Sequence, residues 1–113
     1  MSLTIFINND SYKSIKKGKK KIEGRLKKGR FKALTLKKND IITFRCIEDS
    51  CRVKILDILE YNNILEYLNK EDLNSIIPGI RSVDIAYKHY NRFYSISKLS
   101  NYKMIAIRFN LIN

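Results

Sequence analysis

The sequence predicts an α+β domain built on a mixed, curled sheet or small barrel of about five strands. Short apolar, β-branched segments stand near both ends of the chain and through its middle, and two helix-patterned segments precede the last of them. No strand–helix–strand rhythm of the doubly wound kind accompanies them. At 113 residues and 44% hydrophobic content, the chain fits one domain, residues 1–113, that buries a core without metal or disulfide support.

The first strand is read at Leu3 to Ile7. Asn9, Asp10 and Ser11 offer N-cap side chains to a helix running to about Lys17, with Tyr12 and Ile15 facing the core. Gly18 stands where that helix must stop, since the left-handed position after a helix is easiest for glycine. Ile22 to Leu26 alternates, placing Ile22, Gly24 and Leu26 on one face and Glu23 and Arg25 on the other. Lys27 to Lys38 is a basic connection interrupted by Phe31, Ala33 and Leu34. Asn39-Asp40 signals a turn before a strand at Ile41 to Phe44, and Glu48-Asp49-Ser50 signals the next. Arg52 to Tyr61 is apolar at both odd and even positions, which predicts a central strand buried on both faces. Asn62-Asn63 precede a helix carrying Ile64, Leu65 and Leu68. Pro78-Gly79 breaks the chain, and Ser82 caps a second helix whose stripe is Val83, Ile85, Ala86, Tyr90 and Phe93. Met104 to Ile112 reads as the closing strand.

The charge is unevenly placed. Residues 1–54 hold 16 basic and 5 acidic side chains, a net +11, whereas residues 55–113 hold 7 and 6, a net +1. From Lys13 to Lys38, 13 of 26 residues are lysine or arginine, and Glu23 is the one acid. Such a concentrated field repels itself and suits a polyanion, so RNA or another single-stranded nucleic acid is the expected partner. A merely solvated basic face is the plainer alternative. A membrane partner is not expected: no apolar run reaches spanning length, and no amphipathic helix with a large apolar face accompanies the lysines. The expected setting is soluble and intracellular, cytoplasmic or, in a eukaryotic or viral context, nuclear. Cys46 and Cys51 read as a reduced pair of small hydrophobes in a hairpin. With one histidine, His89, and no C-x-x-C, neither a metal nor a cofactor is expected.

The most specific pattern is Gly18-x-Lys20-x-x-Glu23-x-Arg25, a helix stop followed by a compact charged site. It resembles the G-x-K-x-x-E-x-R signature of ASCH domains, in the PUA-like superfamily. Further segments resemble that family in order and spacing: Lys37 to Phe44, with Asn39 in place of the usual glycine; Leu65 to Glu71 followed by Ile77-Pro78-Gly79; Tyr90-Asn91-Arg92-Phe93-Tyr94; and Met104 to Ile107. The resemblance runs from Leu3 to Phe109. It implies a PUA-like β-barrel of five or six strands flanked by two or three helices, with a cleft bordered by Gly18–Arg25 and an association with RNA. Some small members resembling this chain are acetylcytidine amidohydrolases, and one member has been associated with ribonuclease activity. In the amidohydrolases the lysine matching Lys20 is catalytic, a threonine stands where this chain has Glu23, and a later glutamate best matching Glu71 completes the site. If the protein is an enzyme, Lys20, Glu23 and Glu71 are thus the catalytic candidates, and a modified cytidine is the substrate.

The residues support roles of their own. Arg25 presents parallel donors to a phosphate or pins Glu23 in place. Glu23, among cations, stays ionised and accepts hydrogen bonds, or simply forms a same-face ion pair. Lys20 stands between Lys19 and Lys21, whose like charge favours a neutral amine able to act as base or nucleophile. Its alternative is a phosphate-positioning charge. Lys16, Lys19, Lys20, Lys27, Lys28 and Arg30 would follow phosphates with Arg25. Tyr90 and Tyr94 are candidates for stacking a base, against the plainer role of packing residues with wet hydroxyls. His89 reads as a surface histidine.

Overall fold

The computed structural model describes residues 3–33 and 35–112. Among them the order is β1 (Thr4–Phe6), α1 (Asn9–Lys16), β2 (Ile22–Leu26), a 3-10 turn (Gly29–Ala33), β3 (Ile41–Arg45), β4 (Ser50–Tyr61), α2 (Ile64–Lys70), α3 (Leu73–Ile76), α4 (Val83–Asn91), α5 (Ile96–Asn101) and β5 (Met104–Leu111). The five strands form one mixed sheet in the order β1-β3-β4-β5-β2. β1 pairs with β3 in parallel, and the remaining neighbours are antiparallel. The sheet curls into a half-barrel, the α+β architecture that the sequence predicts.

Five α-helices lie among the described residues, where two or three were expected. The additional ones, α3 and α5, are 4 and 6 residues long, too short for an apolar helical period to show in sequence. α1 begins one residue earlier than its polar cluster indicates: the Asn8 side chain is the N-cap, accepting from Ser11 N at 2.8 Å. Ser82 caps α4 as expected, accepting from Ile85 N. Gly18 takes φ 74°, the left-handed stop after α1, and Asn39 takes φ 76°, a conformation asparagine tolerates where most side chains do not. Leu34 of the basic connection lies outside the described residues.

Two cores flank the sheet. α1 covers one, made of Ile5, Ile15, Ile42, Phe44, Val53, Ile55, Ile105, Ile107 and Phe109. Helices α2 to α5 cover the other, with Ile22, Leu26, Tyr61, Tyr67, Leu68, Tyr90, Met104 and Ala106. β5 is therefore the strand buried on both faces, its odd residues entering the first core and its even ones the second. β4 is central in the sheet, but its mixed apolar pattern has another cause. A register shift between Ile55 and Asp57 makes Leu56 an extra residue. Side-chain phase changes there, so Val53 and Ile55 meet the first core while Leu59 and Tyr61 meet the second. Arg52 and Lys54 remain exposed.

β1 and β2 stand at opposite ends of the sheet order, yet they come together across the open seam. Arg25 Nη2 on β2 donates to Phe6 O on β1 at 2.7 Å, and Arg30 Nη2 donates to Thr4 O at 3.1 Å. Side-chain donors close the seam where backbone pairing does not.

Candidate functional site

The seam opens into a cleft of about 710 Å³. The β1–α1 junction (Phe6 to Ser14) and the turn Ile76-Ile77-Pro78 contribute walls. Lys20, ahead of β2, and Glu23, Gly24 and Arg25 on it line the cleft, as do His89 and Tyr90 at the end of α4 and Arg92, Phe93 and Tyr94 just after it.

The left-handed Gly18 turns the chain off α1, and the next two amides, Lys19 N and Lys20 N, both donate to Ser14 O. This fixes where Lys20 starts, and its side chain then turns inward. Nζ donates to Ile22 O and Ile76 O, each at 2.7 Å, and lies 3.2 Å from Glu23 Oε1. Three oxygens match the three N–H donors of an ammonium. Lys20 is 5% exposed, whereas Lys19 and Lys21 on either side of it face solvent. Its bond to Ile76 O ties the end of α3 to the segment that enters β2.

Glu23 pairs with Ile107 and Arg25 with Ile105 across β2 and β5, so both charged side chains share the inner face of the sheet. Arg25 Nε donates to Glu23 Oε2 at 2.8 Å. Burial alone would push the Glu23 carboxyl up, but the charges and hydrogen bonds of Lys20 and Arg25 outweigh it and hold the carboxyl below its ordinary value. The Arg25 guanidinium also lies over the Phe31 ring, 5.5 Å from its centre. Gly24 points to the opposite face, opposite Ala106. A Cβ there would lie 2.3 Å from the Tyr67 hydroxyl, so glycine leaves room for the fully buried Tyr67 ring. That hydroxyl meets the Tyr90 hydroxyl at 3.1 Å.

The structure divides the residues singled out from sequence into three groups. Lys20, Glu23, Arg25, Tyr90 and Tyr94 converge on the cleft. Lys16 and Lys19 are exposed on and just beyond the last turn of α1 and do not line it. Lys27, Lys28 and Arg30 follow β2: Lys27 pairs with Glu60, Lys28 lies over the Tyr102 ring, and Arg30 holds Thr4 O. Glu71 does not line the cleft. Its carboxylate receives Arg108 Nε at 2.9 Å and Nη2 at 2.8 Å, together with the Tyr61 hydroxyl.

The aromatic surface at the cleft differs from the one read in sequence. Tyr90 is buried and Tyr94 half-buried, whereas Phe6 and Phe93 are 65% and 59% exposed. Phe6 falls in an apolar run whose alternation turns Ile5 inward and Phe6 outward, a phase that only pairing with β3 sets. Phe93 lies past the end of α4, so it leaves the helical stripe that its spacing extends. His89 is half-buried against the cleft. Burial, then repulsion from Arg92 and Lys20, push its imidazole below its ordinary value against an opposing pull from Asp10. No group of three or more His, Cys, Asp or Glu side chains among the described residues is placed to hold a metal ion. No helix among them is long and apolar enough to cross a membrane.

No protein-family model matches the sequence, and neither does any curated protein. Among solved structures, the chain is similar to hypothetical protein PH0355, with 32% identity over 99% of this chain and 100% of that one and a TM-score of 0.86. It is also similar to protein PF0455 from Pyrococcus furiosus, at 31% identity over 100% and 99% of the two chains, with a TM-score of 0.75. An ASCH domain from Lactobacillus crispatus shares the fold at 13% identity, a TM-score of 0.69, and coverage of 97% of this chain and 79% of that one. The chain belongs to one family with PH0355 and PF0455, and its fold is that of the ASCH domain.

Proposed function

We propose that the protein binds single-stranded RNA, holding one nucleotide in the cleft while the lysines of α1 and the following turn contact phosphates. The observation that carries this reading is the joint presence, around one 710 Å³ opening, of the exposed Phe6 and Phe93 rings and the charged groups Glu23, Arg25 and Arg92. That volume suits a small organic ligand. An exposed ring stacks on any base, and the chain's formal +12 favours a polyanion. An amidohydrolase reading requires a reactive amine at Lys20 working with Glu71. The Lys20 amine is engaged by three oxygens, and Glu71 is turned to Arg108 and Tyr61, so these contacts favour binding over turnover.

Titration with a single-stranded RNA oligomer at increasing salt tests the reading. With about four phosphates neutralised, log K against log salt should slope near −3. The double change Lys16→Glu and Lys19→Glu should weaken binding alike for all sequences and flatten that slope, since both side chains are exposed. An affinity indifferent to salt and to both changes overturns the proposal.

A further inference from the structure

We propose, resting on the RNA-binding reading, that the cleft selects guanine: Glu23, clamped between Lys20 and Arg25, accepts the paired N–H donors of a guanine edge while Phe6 or Phe93 stacks on the base. The geometry of the carboxylate carries the argument. An ionised carboxylate offers about four acceptor directions, two on each oxygen. Lys20 occupies one on Oε1 and Arg25 one on Oε2. No other hydrogen-bond donor among the described residues reaches either oxygen, so each of these two adjacent oxygens keeps acceptor capacity. The side chain is 10% accessible and lines the cleft, so a ligand there is what can use them.

Two adjacent acceptors require two adjacent donors. Guanine alone among the four bases supplies them on its Watson–Crick edge, as N1–H beside the N2 amine. Adenine and cytosine each place one amine beside a ring nitrogen acceptor, which a carboxylate repels. Uracil places its N–H between two carbonyl oxygens. The clamp also keeps the carboxylate from turning away, because a cation holds each oxygen. An arginine side chain of a protein partner carries the same fork of donors, but Lys20, Arg25 and Arg92 line the approach and oppose a cation. The exposed rings favour a flat base.

The test uses the full chain and uridine-rich RNA oligomers that carry one central guanosine, adenosine, cytidine, inosine or 1-methylguanosine. Fluorescence anisotropy should show guanosine binding about 10-fold tighter than adenosine, cytidine or the all-uridine oligomer. Inosine, lacking the N2 amine, should fall between, and 1-methylguanosine, lacking N1–H, should lose the preference. This series needs no variant, so a misfolded mutant cannot obscure it. Glu23→Gln should then flatten the series, and Phe93→Ala should weaken every oligomer by a similar factor while leaving the ranking intact. Measurable but equal affinities overturn the guanine assignment and leave RNA binding standing. No binding to any oligomer overturns the underlying RNA reading and this one with it. Displacement of the guanosine oligomer by a lower concentration of an arginine-containing peptide overturns it in favour of a protein partner.

Discussion

Two buried glutamates are held by cations in this domain, and they are held differently. Glu23 is 8% exposed and Glu71 6%. Glu71 accepts three hydrogen bonds, two from the Arg108 fork and one from Tyr61, tying the end of α2 to β4 and β5. Its cation is the exposed member of the pair, with Arg108 at 40% side-chain accessibility against 1% for Glu71. Around Glu23 the arrangement is reversed. Its principal cation, Lys20, is the more deeply buried partner, and the carboxylate itself borders the cleft. One acid has committed three of its roughly four acceptor directions to contacts away from the cleft. The other keeps some at an opening. Burial and ion pairing alone do not separate a structural glutamate from a ligand-facing one; the unfilled acceptor directions do.

Removing a cation from each pair should break this comparison unequally. The largest loss is expected from Arg108→Met, which leaves the Glu71 carboxylate enclosed with only the Tyr61 hydroxyl. Stranding a buried charge in this way costs about 3–5 kcal/mol. Urea unfolding should show that loss with RNA affinity unchanged for the folded fraction. A variant of wild-type stability would mean that Glu71 readily finds water.

Lys20→Met should cost less, about 1–3 kcal/mol. Glu23 keeps Arg25 and can draw water from the cleft, although Ile22 O and Ile76 O each lose a donor. Its separate signature should be in binding. With the tie to the Ile76 carbonyl gone and Oε1 released, the Glu23 carboxylate can rotate, and RNA affinity should fall along with stability. A loss of stability without any change in binding would assign the Lys20–Glu23 pair to the fold alone, as with Arg108 and Glu71.

Much of this contrast was legible in the sequence at the level of position and little of it at the level of contact. The Gly18 stop and the β2 alternation placed Glu23 and Arg25 together, because helix termination and a two-residue period are local properties. The strands were legible for the same reason. What could not be read depends on chain segments far apart in sequence. The Ile76 carbonyl meets Lys20 from 56 residues away, so the oxygens that enclose this amine leave no trace in the local spacing. The Leu56 bulge imitates two-sided burial, since a phase change and double burial both place apolar residues at odd and even positions. Phe6 escapes notice because a short apolar run does not announce which residue faces out. The partners of Glu71 come from β4 and β5, and no spacing within Leu65–Glu71 points to them.

The smallest effect expected is in the acid dependence of stability, and it sharpens the comparison by adding a third carboxylate, Glu60. Lys20 and Arg25 together hold the Glu23 carboxyl below its ordinary value of 4.5 despite burial. The hydrogen bond from Lys27, at the exposed Lys27–Glu60 pair, lowers the Glu60 carboxyl too. A carboxyl with a depressed folded-state pKa contributes stability that is fully present above its unfolded value and is lost as pH falls through the folded one. Both acids therefore share one sign: each stabilises at neutral pH and ceases to do so on acidification below 4.5. They should differ in their response to salt. Water and ions reach Glu60, so its part of the acid dependence should fade as ionic strength rises, whereas that of the enclosed Glu23 should persist. Thermal melts of wild type, Glu23→Gln and Glu60→Gln across this pH range, at low and high salt, would separate them. The gap between wild type and Glu23→Gln should close on acidification at either salt level. A gap that stays constant with pH would mean that Glu23 titrates in the folded protein as it does in the unfolded chain, which the Lys20–Arg25 clamp does not permit.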